Sequence, residues 1–219
     1  MARIKNESMP YYDEGVKRER MLVDSYIQEN KANPLGIYLY YSRVFQRKDF
    51  PTEEEITMER EYIRSFGEMA QASSSFMKME KDLLRYEDCA IGHEAPEIIG
   101  KDTLGNELRL SDLRGNYVLV DFWNSYCHWC REETPALKQA LEHFAGKNFK
   151  ILGVSSDRVK KLWLDAIHED GSYWDHLMLE KGDDVMDRYC IKGIPHIIRP
   201  GRENFGKRVE GAGFNRCSG

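Results

Sequence analysis

Two cysteines, Cys127 and Cys130, lie where an apolar run of residues gives way to a helical pattern. The run YVLVDFW (117–123) is typical of a buried strand, and a helix is predicted from about 131 to 145. Cys127 is therefore expected near a helix N-terminus, where unsatisfied N–H groups and a partial positive charge favour a thiolate. Cys130 is close enough to form a small disulfide ring with it. We predict that the pair is a two-electron redox centre.

A metal site and a pair of structural thiols are the alternatives for these cysteines. A closed zinc site needs four ligands, usually from a second cysteine or histidine pair with its own short spacing, and the sequence has no such pair. The histidines are scattered, although His196 could approach Cys127 and Cys130 and form an open copper site. Inert thiols have no reason to stand at a strand-to-helix corner, so we favour the redox interpretation.

The amino-acid composition is that of a globular protein and argues against several other classes. Hydrophobic residues make up 41% and charged residues 32% of the 219 residues, as in globular proteins, and the net charge of -5 gives no indication of a nucleic-acid partner. No stretch approaches the roughly 18 to 20 apolar residues of a transmembrane helix, and the opening residues lack the apolar segment of a signal peptide. Five scattered cysteines do not make a disulfide-stabilised scaffold.

The first part of the chain, residues 1–90, is predicted to be helical. It is rich in Glu, Lys, Arg, Met and Tyr. One helix should begin at Asn33 and Pro34, because Asn caps helices and Pro suits the first turn. Another should follow Thr52, which forms a capping box with the glutamate three residues later. Its apolar stripe, which we expect to face the other helices, consists of Ile56, Met58, Tyr62, Ile63 and Phe66.

The second part, from residue 91, alternates short apolar runs with helical segments. A second buried strand is predicted at 149–155, and further helices at about 158–169 and 183–190. Strands that alternate with helices indicate an α/β protein whose sheet contains at least one parallel crossover and is covered by helices.

Residues 91–198 resemble TlpA-like thiol-disulfide oxidoreductases, which are thioredoxin-fold proteins of the AhpC/TSA-related group. The motifs that carry the resemblance are, in chain order, GHEAPEI, LSDLRGNYVLVDFW, CHWCREETPAL, ILGVSSD and YCIKGIPHII. The resemblance implies a thioredoxin-like three-layer domain over 91–219, with a central mixed sheet flanked by helices. It also implies protein disulfide substrates, an upstream thiol donor, and no cofactor beyond the redox-active disulfide.

The resemblance assigns roles to the cysteines and to the segment near Pro195. Cys127 would attack the substrate disulfide, and Cys130 would resolve the mixed disulfide that results. Pro195, in the GIP motif, would be the cis-proline that faces the pair. It would hold the backbone of Ile194 open for an extended partner chain and keep metal-binding side chains away.

Two carboxylates are candidates for moving the proton of Cys130. Asp121 lies six residues before Cys127, where related thioredoxins keep a buried carboxylate, and burial would raise its pKa toward neutrality. Glu133 matches an active-site glutamate of the TlpA-like branch. A solvated residue that favours the helix start is the alternative for Glu133.

The residues around the cysteines predict the direction of the reaction and the partner surface. His128, when protonated, would stabilise the thiolate and make the disulfide more oxidising; if it points to solvent, the protein is a reductase, which we favour. Tyr126, His128 and Trp129 are expected to meet the partner. Trp123 is expected in the same rim, although it could equally belong to the core.

Both ends of the chain depart from the family pattern. TlpA-like proteins begin with a signal peptide or an anchor, and YIQENKANPLGIYL resembles a linker in Bacteroidetes members, so we expect a fragment of a longer, periplasmic precursor. Residues 199–219 lack the expected strand and helix, and a reading frame shifted by one base permits them, so we hypothesise that this tail is out of frame. A copper-binding chaperone that uses Cys127, Cys130 and His196 is the alternative function.

Overall fold

A computed structural model of the protein describes the backbone of residues 2–48 and 52–198, and the side chains from residue 14 onward within these ranges. The described residues form two compact units, the first from 2–48 and 54–84 and the second from 52–53 and 85–198. The tail 199–219, with its hypothesised frameshift, lies outside the described residues.

The N-terminal region is helical, as predicted. Its helices are α1 (Ala2–Glu29), α2 (Pro34–Leu39), α3 (Glu53–Arg64), α4 (Glu68–Gln71) and α5 (Ser74–Asp88), with a π-helical turn at Tyr40–Val44 and a 3-10 turn at Phe45–Arg47. Asn33 caps α2, because its side chain accepts a hydrogen bond from the Leu35 N–H at 2.9 Å. Helix α3 begins directly after Thr52, again as predicted.

The core of the helical unit contains one buried acid. Ile56, Ile63 and Phe66 of the predicted α3 stripe are buried, whereas Met58 is 63% exposed, so its assignment to the stripe is wrong. Met58 lies only two positions from Ile56, and residues two apart do not share a helix face. On the buried side, Glu59 accepts hydrogen bonds from the Tyr40 hydroxyl and, at 2.6 Å, from the Lys48 ammonium group. Both partners compensate the cost of burying this carboxylate.

The second unit is built on one mixed sheet. Its strands are β1 (Ile99–Asp102), β2 (Glu107–Arg109), β3 (Tyr117–Trp123), β4 (Phe149–Ser155), β5 (Asp175–Met178) and β6 (His196–Ile198). Their order is β2-β1-β5-β4-β3-β6, in which β3, β4 and β5 are parallel and β1, β2 and β6 pair antiparallel with their neighbours. The predicted strands at 117–123 and 149–155 and the predicted parallel crossover are confirmed.

Helices follow the strands and cover the sheet. They are α6 (His128–Glu132), α7 (Thr134–His143), α8 (Lys160–Asp170) and α9 (Val185–Arg188), with a 3-10 turn at Leu110–Leu113. The single helix predicted at 131–145 is in fact two, α6 and α7. Pro135, which lacks an N–H group and suits only the first turn of a helix, explains why α7 begins anew at Thr134.

The two faces of β3 pack in different cores. Val118, Val120 and Phe122 belong to the larger core, together with the 3-10 turn and α9. Leu119 and Trp123 face the other way, toward α7 and α8 respectively. Since side chains alternate along a strand, Asp121 lies on this second face.

Gly153 lies in the middle of the sheet, between the buried residues Asp121 and His176. It pairs with Asp121 of β3 on one side and with His176 of β5 on the other. A methyl group added at Gly153 would lie 2.2 Å from Nδ1 of His176 and 3.1 Å from Nε1 of Trp123. Glycine therefore leaves the space that the two buried rings fill.

Candidate active site

Cys127 and Cys130 form a disulfide at the start of α6. Cys127 is the N-cap of this helix, and its sulfur accepts a hydrogen bond from the Cys130 N–H at 3.1 Å. Cys127 is half-buried, whereas Cys130 is only 4% exposed. A partner can therefore reach Cys127, and the helix N–H groups can stabilise a thiolate there.

The loop that carries Cys127 is held by Asp157, which the sequence analysis missed. Asp157 is buried, and its carboxylate accepts hydrogen bonds from the Ser125 N–H at 2.9 Å, the Ser125 hydroxyl at 2.6 Å and the Ser155 hydroxyl at 2.7 Å. Ser125 and Asp157 each lie two residues beyond the ends of β3 and β4. Parallel neighbours end at the same sheet edge, so the ILGVSSD motif held a usable signal for this contact.

Asp121 and Glu133 are buried to different degrees near the cysteines. Asp121 is 5% exposed, and burial, reinforced by the negative charge of Glu133, raises its pKa to about 8. Burial also raises the pKa of Glu133, which is half-buried. Among the described residues, the buried Oε2 of Glu133 has no hydrogen-bond partner. Asp121 can take up and release a proton near neutral pH, and the pKa of Glu133 is shifted in the same direction, so both are candidates for accepting the proton of a thiol.

Trp123 does not belong to the rim of the site. It is only 4% exposed and packs with Cys130 and with Trp163 of α8. Its predicted place on the partner surface is therefore wrong, because its position in β3 directs the indole into the core. Its ring lies 5.5 Å from that of His176, measured between centroids.

His176 is a buried neutral histidine behind Trp123. Burial lowers its pKa to about 4, and its Nε2 lies 2.7 Å from the Ser172 carbonyl oxygen. Trp174 stacks on the same ring with a centroid separation of 5.4 Å. The sequence pattern indicates no role for this histidine, and its surroundings are those of a core residue.

Tyr126, His128 and Trp129 surround Cys127 on the surface. Tyr126 is 69% exposed, and His128 and Trp129 are exposed as well. The His128 ring lies against that of Trp129, and its Nε2 is 3.8 Å from the Glu132 carboxylate. The three side chains are accessible to a partner.

Ile194 and Pro195 lead into β6 beside the cysteines. The Ile194–Pro195 peptide bond is cis. Ile194 packs against the cluster that contains Trp123 and Cys130. Strand β6 pairs with β3 so that His196 stands opposite Phe122, which brings the segment to the edge strand of the described sheet.

Arg131 ties α6 to the end of α8. Its guanidinium donates to both carboxylate oxygens of Asp170, with a shortest distance of 2.7 Å, and to Glu169 at 2.9 Å. These hydrogen bonds raise the pKa of Arg131 and fix the helix that presents Cys127.

The described residues contain no group of three or more His, Cys, Asp or Glu side chains arranged to hold a metal ion. The copper alternative, with His196 as a third ligand, thus receives no support from this part of the chain. Within the same ranges, no helix combines the length and the apolar composition needed to cross a bilayer.

The chain is similar to a known protein family and to curated proteins of known name. A model of the AhpC/TSA family matches residues 91–204. The thiol-disulfide oxidoreductase ResA of Bacillus subtilis is 28% identical over 116 residues, which cover 52% of this chain and 64% of that protein. The chain thus spans less than two thirds of this curated relative.

Two solved structures are more similar in sequence. The thioredoxin domain of a thiol-disulfide oxidoreductase from Bacteroides vulgatus is 48% identical, with a TM-score of 0.52 over 56% of this chain and 90% of that one. A thiol:disulfide interchange protein from Bacteroides sp. is 46% identical, with a TM-score of 0.50 over 53% of this chain and 82% of that one. These matches confirm the thioredoxin-like fold and the resemblance to TlpA-like proteins of the Bacteroidetes type.

Proposed function

The chain belongs to the AhpC/TSA family, and from this membership we propose that it is a thiol-disulfide oxidoreductase that reduces protein disulfides. The names of the relatives support this activity. The observation that carries the proposal is the unequal exposure of the two bonded cysteines, with Cys127 accessible at a helix N-terminus and Cys130 covered behind it.

In the first step, the reduced protein attacks its substrate. The Cys127 thiolate, stabilised by the N-terminus of α6, attacks one sulfur of a protein disulfide. A mixed disulfide forms, and the other substrate sulfur leaves as a thiolate that takes up a proton. We assign the attack to Cys127 because it is the more accessible of the two cysteines.

In the second step, Cys130 resolves the mixed disulfide. Its thiol gives its proton to Asp121 or Glu133, whose raised pKa values suit this transfer. The Cys130 thiolate then attacks the Cys127 sulfur, and the second substrate thiolate leaves and recovers the proton. Two electrons have passed to the substrate, and the protein is left with the Cys127–Cys130 disulfide.

The partner surface consists of residues around Cys127. Tyr126, His128 and Trp129 are exposed and would contact the substrate chain. Ile194, before the cis Pro195, would offer backbone groups to an extended segment of that chain. An upstream thiol donor would then reduce the disulfide again, so the cycle needs only thiols.

The exposure of His128 bears on the direction of the reaction, and the resemblance to TlpA-like proteins bears on the compartment. The exposed His128 favours a reductase over an oxidase, because a solvated imidazole does little to stabilise the thiolate. By resemblance to TlpA-like proteins, the site of action would be the periplasm or another extracytoplasmic compartment, where protein disulfides form.

A redox titration tests the proposal. The protein is equilibrated with glutathione and dithiothreitol buffers, and the thiol state of Cys127 and Cys130 is followed by mass, with Cys127→Ser as the control. We expect one reversible two-electron transition well below the glutathione poise. A transition at strongly oxidising potential would make the protein an oxidase. The absence of any reversible transition would refute both the reductase and the oxidase activity.

A further inference from the structure

A groove beside Cys127 adjoins the proposed partner surface. Its volume is about 370 Å³, and its walls are formed by Ser125, Tyr126, His128, Arg131, Glu132 and Asp170. Most of these residues come from the short segment around Cys127. When a substrate cysteine is bonded to Cys127, we expect its neighbours in the substrate chain to lie close to this groove.

The walls of the groove carry an excess of negative charge. The positive charge of Arg131 is engaged by two carboxylates, Asp170 at 2.7 Å and Glu169 at 2.9 Å. Glu132 has the His128 ring at a longer distance, 3.8 Å, and its side chain is 64% exposed. The two carboxylates that line the groove, Glu132 and Asp170, thus outnumber its one guanidinium, and Glu132 remains accessible to a cation.

The groove also presents an aromatic face. Tyr126 is one of the residues that line it and is largely solvent-exposed. A lysine or arginine side chain can place its apolar stem along such a ring and its charge over the ring or near a carboxylate. Tyr126 and Glu132 together therefore provide both parts of a site for a basic side chain.

We propose that this groove selects substrate polypeptides with a lysine or arginine next to the reactive cysteine, and that Glu132 is the specificity-determining residue. The inference rests on the proposed function, since it concerns the partner of the same disulfide exchange. It names a substrate class that the identities of the cysteines alone do not.

Matched peptides test the proposal. Three disulfide-bonded peptides differ only in the residue next to the cysteine, which is Lys, Gln or Glu, and kcat/KM for their reduction is measured at low salt. The wild type should prefer Lys over Gln by about fivefold, as expected for one exposed ion pair with a cation–π contact. The preference should shrink as salt is added.

Variants assign the preference to the groove. Glu132→Gln should bring the Lys-to-Gln ratio to about one, and Glu132→Lys should favour the Glu peptide. Glu142→Gln, which removes an exposed carboxylate from α7 away from the groove walls, should keep the wild-type ratio.

Equal reduction of all three peptides by the wild type would overturn the groove assignment and leave the proposed function standing. A ratio that survives in both Glu132 variants would also overturn it, and failure to reduce any peptide would refute both proposals.

Discussion

Two buried carboxylates, Glu59 of the helical unit and Asp121 of the sheet unit, have opposite surroundings. In the helical unit, Glu59 is 5% exposed but accepts hydrogen bonds from Tyr40 and Lys48. In the sheet unit, Asp121 is equally buried, its nearest charged influence is the like charge of Glu133, and its pKa rises to about 8. A buried acid with donors around it stabilises a fold, whereas one beside another acid is ready to exchange a proton.

The largest expected effect concerns the acid of the sheet unit. Asp121→Asn should slow the release of the mixed disulfide by about 100-fold, because a positioned proton acceptor is lost. The wild-type rate should rise with pH and level off above about 8, as Asp121 loses its proton. The variant should lack this inflection. Rapid-quench analysis of mixed-disulfide decay measures both.

The control for this prediction is Asp187→Asn, which neutralises an exposed carboxylate on α9. It should leave the rate and its pH profile unchanged. If Asp121→Asn behaved like this control, Glu133 would remain as the candidate for the proton transfer.

The next effect concerns the acid of the helical unit. Glu59→Ala should lower the free energy of unfolding by about 2 to 3 kcal/mol, since the half-exposed Lys48 and the buried Tyr40 lose their common partner. Urea unfolding followed by circular dichroism measures this loss. Glu61→Ala, an exposed neighbour on α3, should change the stability little. A shift in the redox potential of the cysteines in Glu59→Ala would break the comparison between the two acids.

A further expected effect is a pH-dependent gain in stability for Asp121→Asn. An aspartate ionises near pH 4 in the unfolded chain, whereas Asp121 ionises near pH 8 in the fold. Between these values the folded protein keeps a proton that the unfolded chain has lost, so wild-type stability falls as the pH rises. At pH 7, about three pH units above the unfolded value, the variant should be more stable by about 4 kcal/mol, and at pH 4 most of this advantage should disappear. Unfolding curves at the two pH values, with the disulfide intact, test this; a gain that is constant with pH would contradict it.

The long central strands could be predicted from the sequence, and the short strands could not. The apolar runs 117–123 and 149–155 correspond to β3 and β4 because both faces of these strands are covered. Strands such as Ile99–Asp102 and Glu107–Arg109 were not predicted. They contain few apolar residues, and they exist because of partners that are distant along the chain.

The parts of the site that could be predicted are those whose signal lies within a short stretch of sequence. The N-cap position of Cys127 followed from the strand-to-helix corner, and the burial of Asp121 followed from the resemblance to related thioredoxins. The sequence could not decide between the rim and the core for Trp123, because a strand that is apolar on both faces gives no alternation from which to choose a face. The contact between Ser125 and Asp157 was missed because it joins two loops that only the parallel pairing of β3 and β4 brings together.

Gly153 has a consequence for how this chain can change over generations. Any other amino acid there would place an atom inside the space that His176 and Trp123 fill. Both rings are buried and held by neighbours, so neither can move aside without a change of its own. Substitutions at positions 123, 153 and 176 should therefore occur together. Position 153 should first become variable in a lineage in which a smaller residue has replaced the histidine.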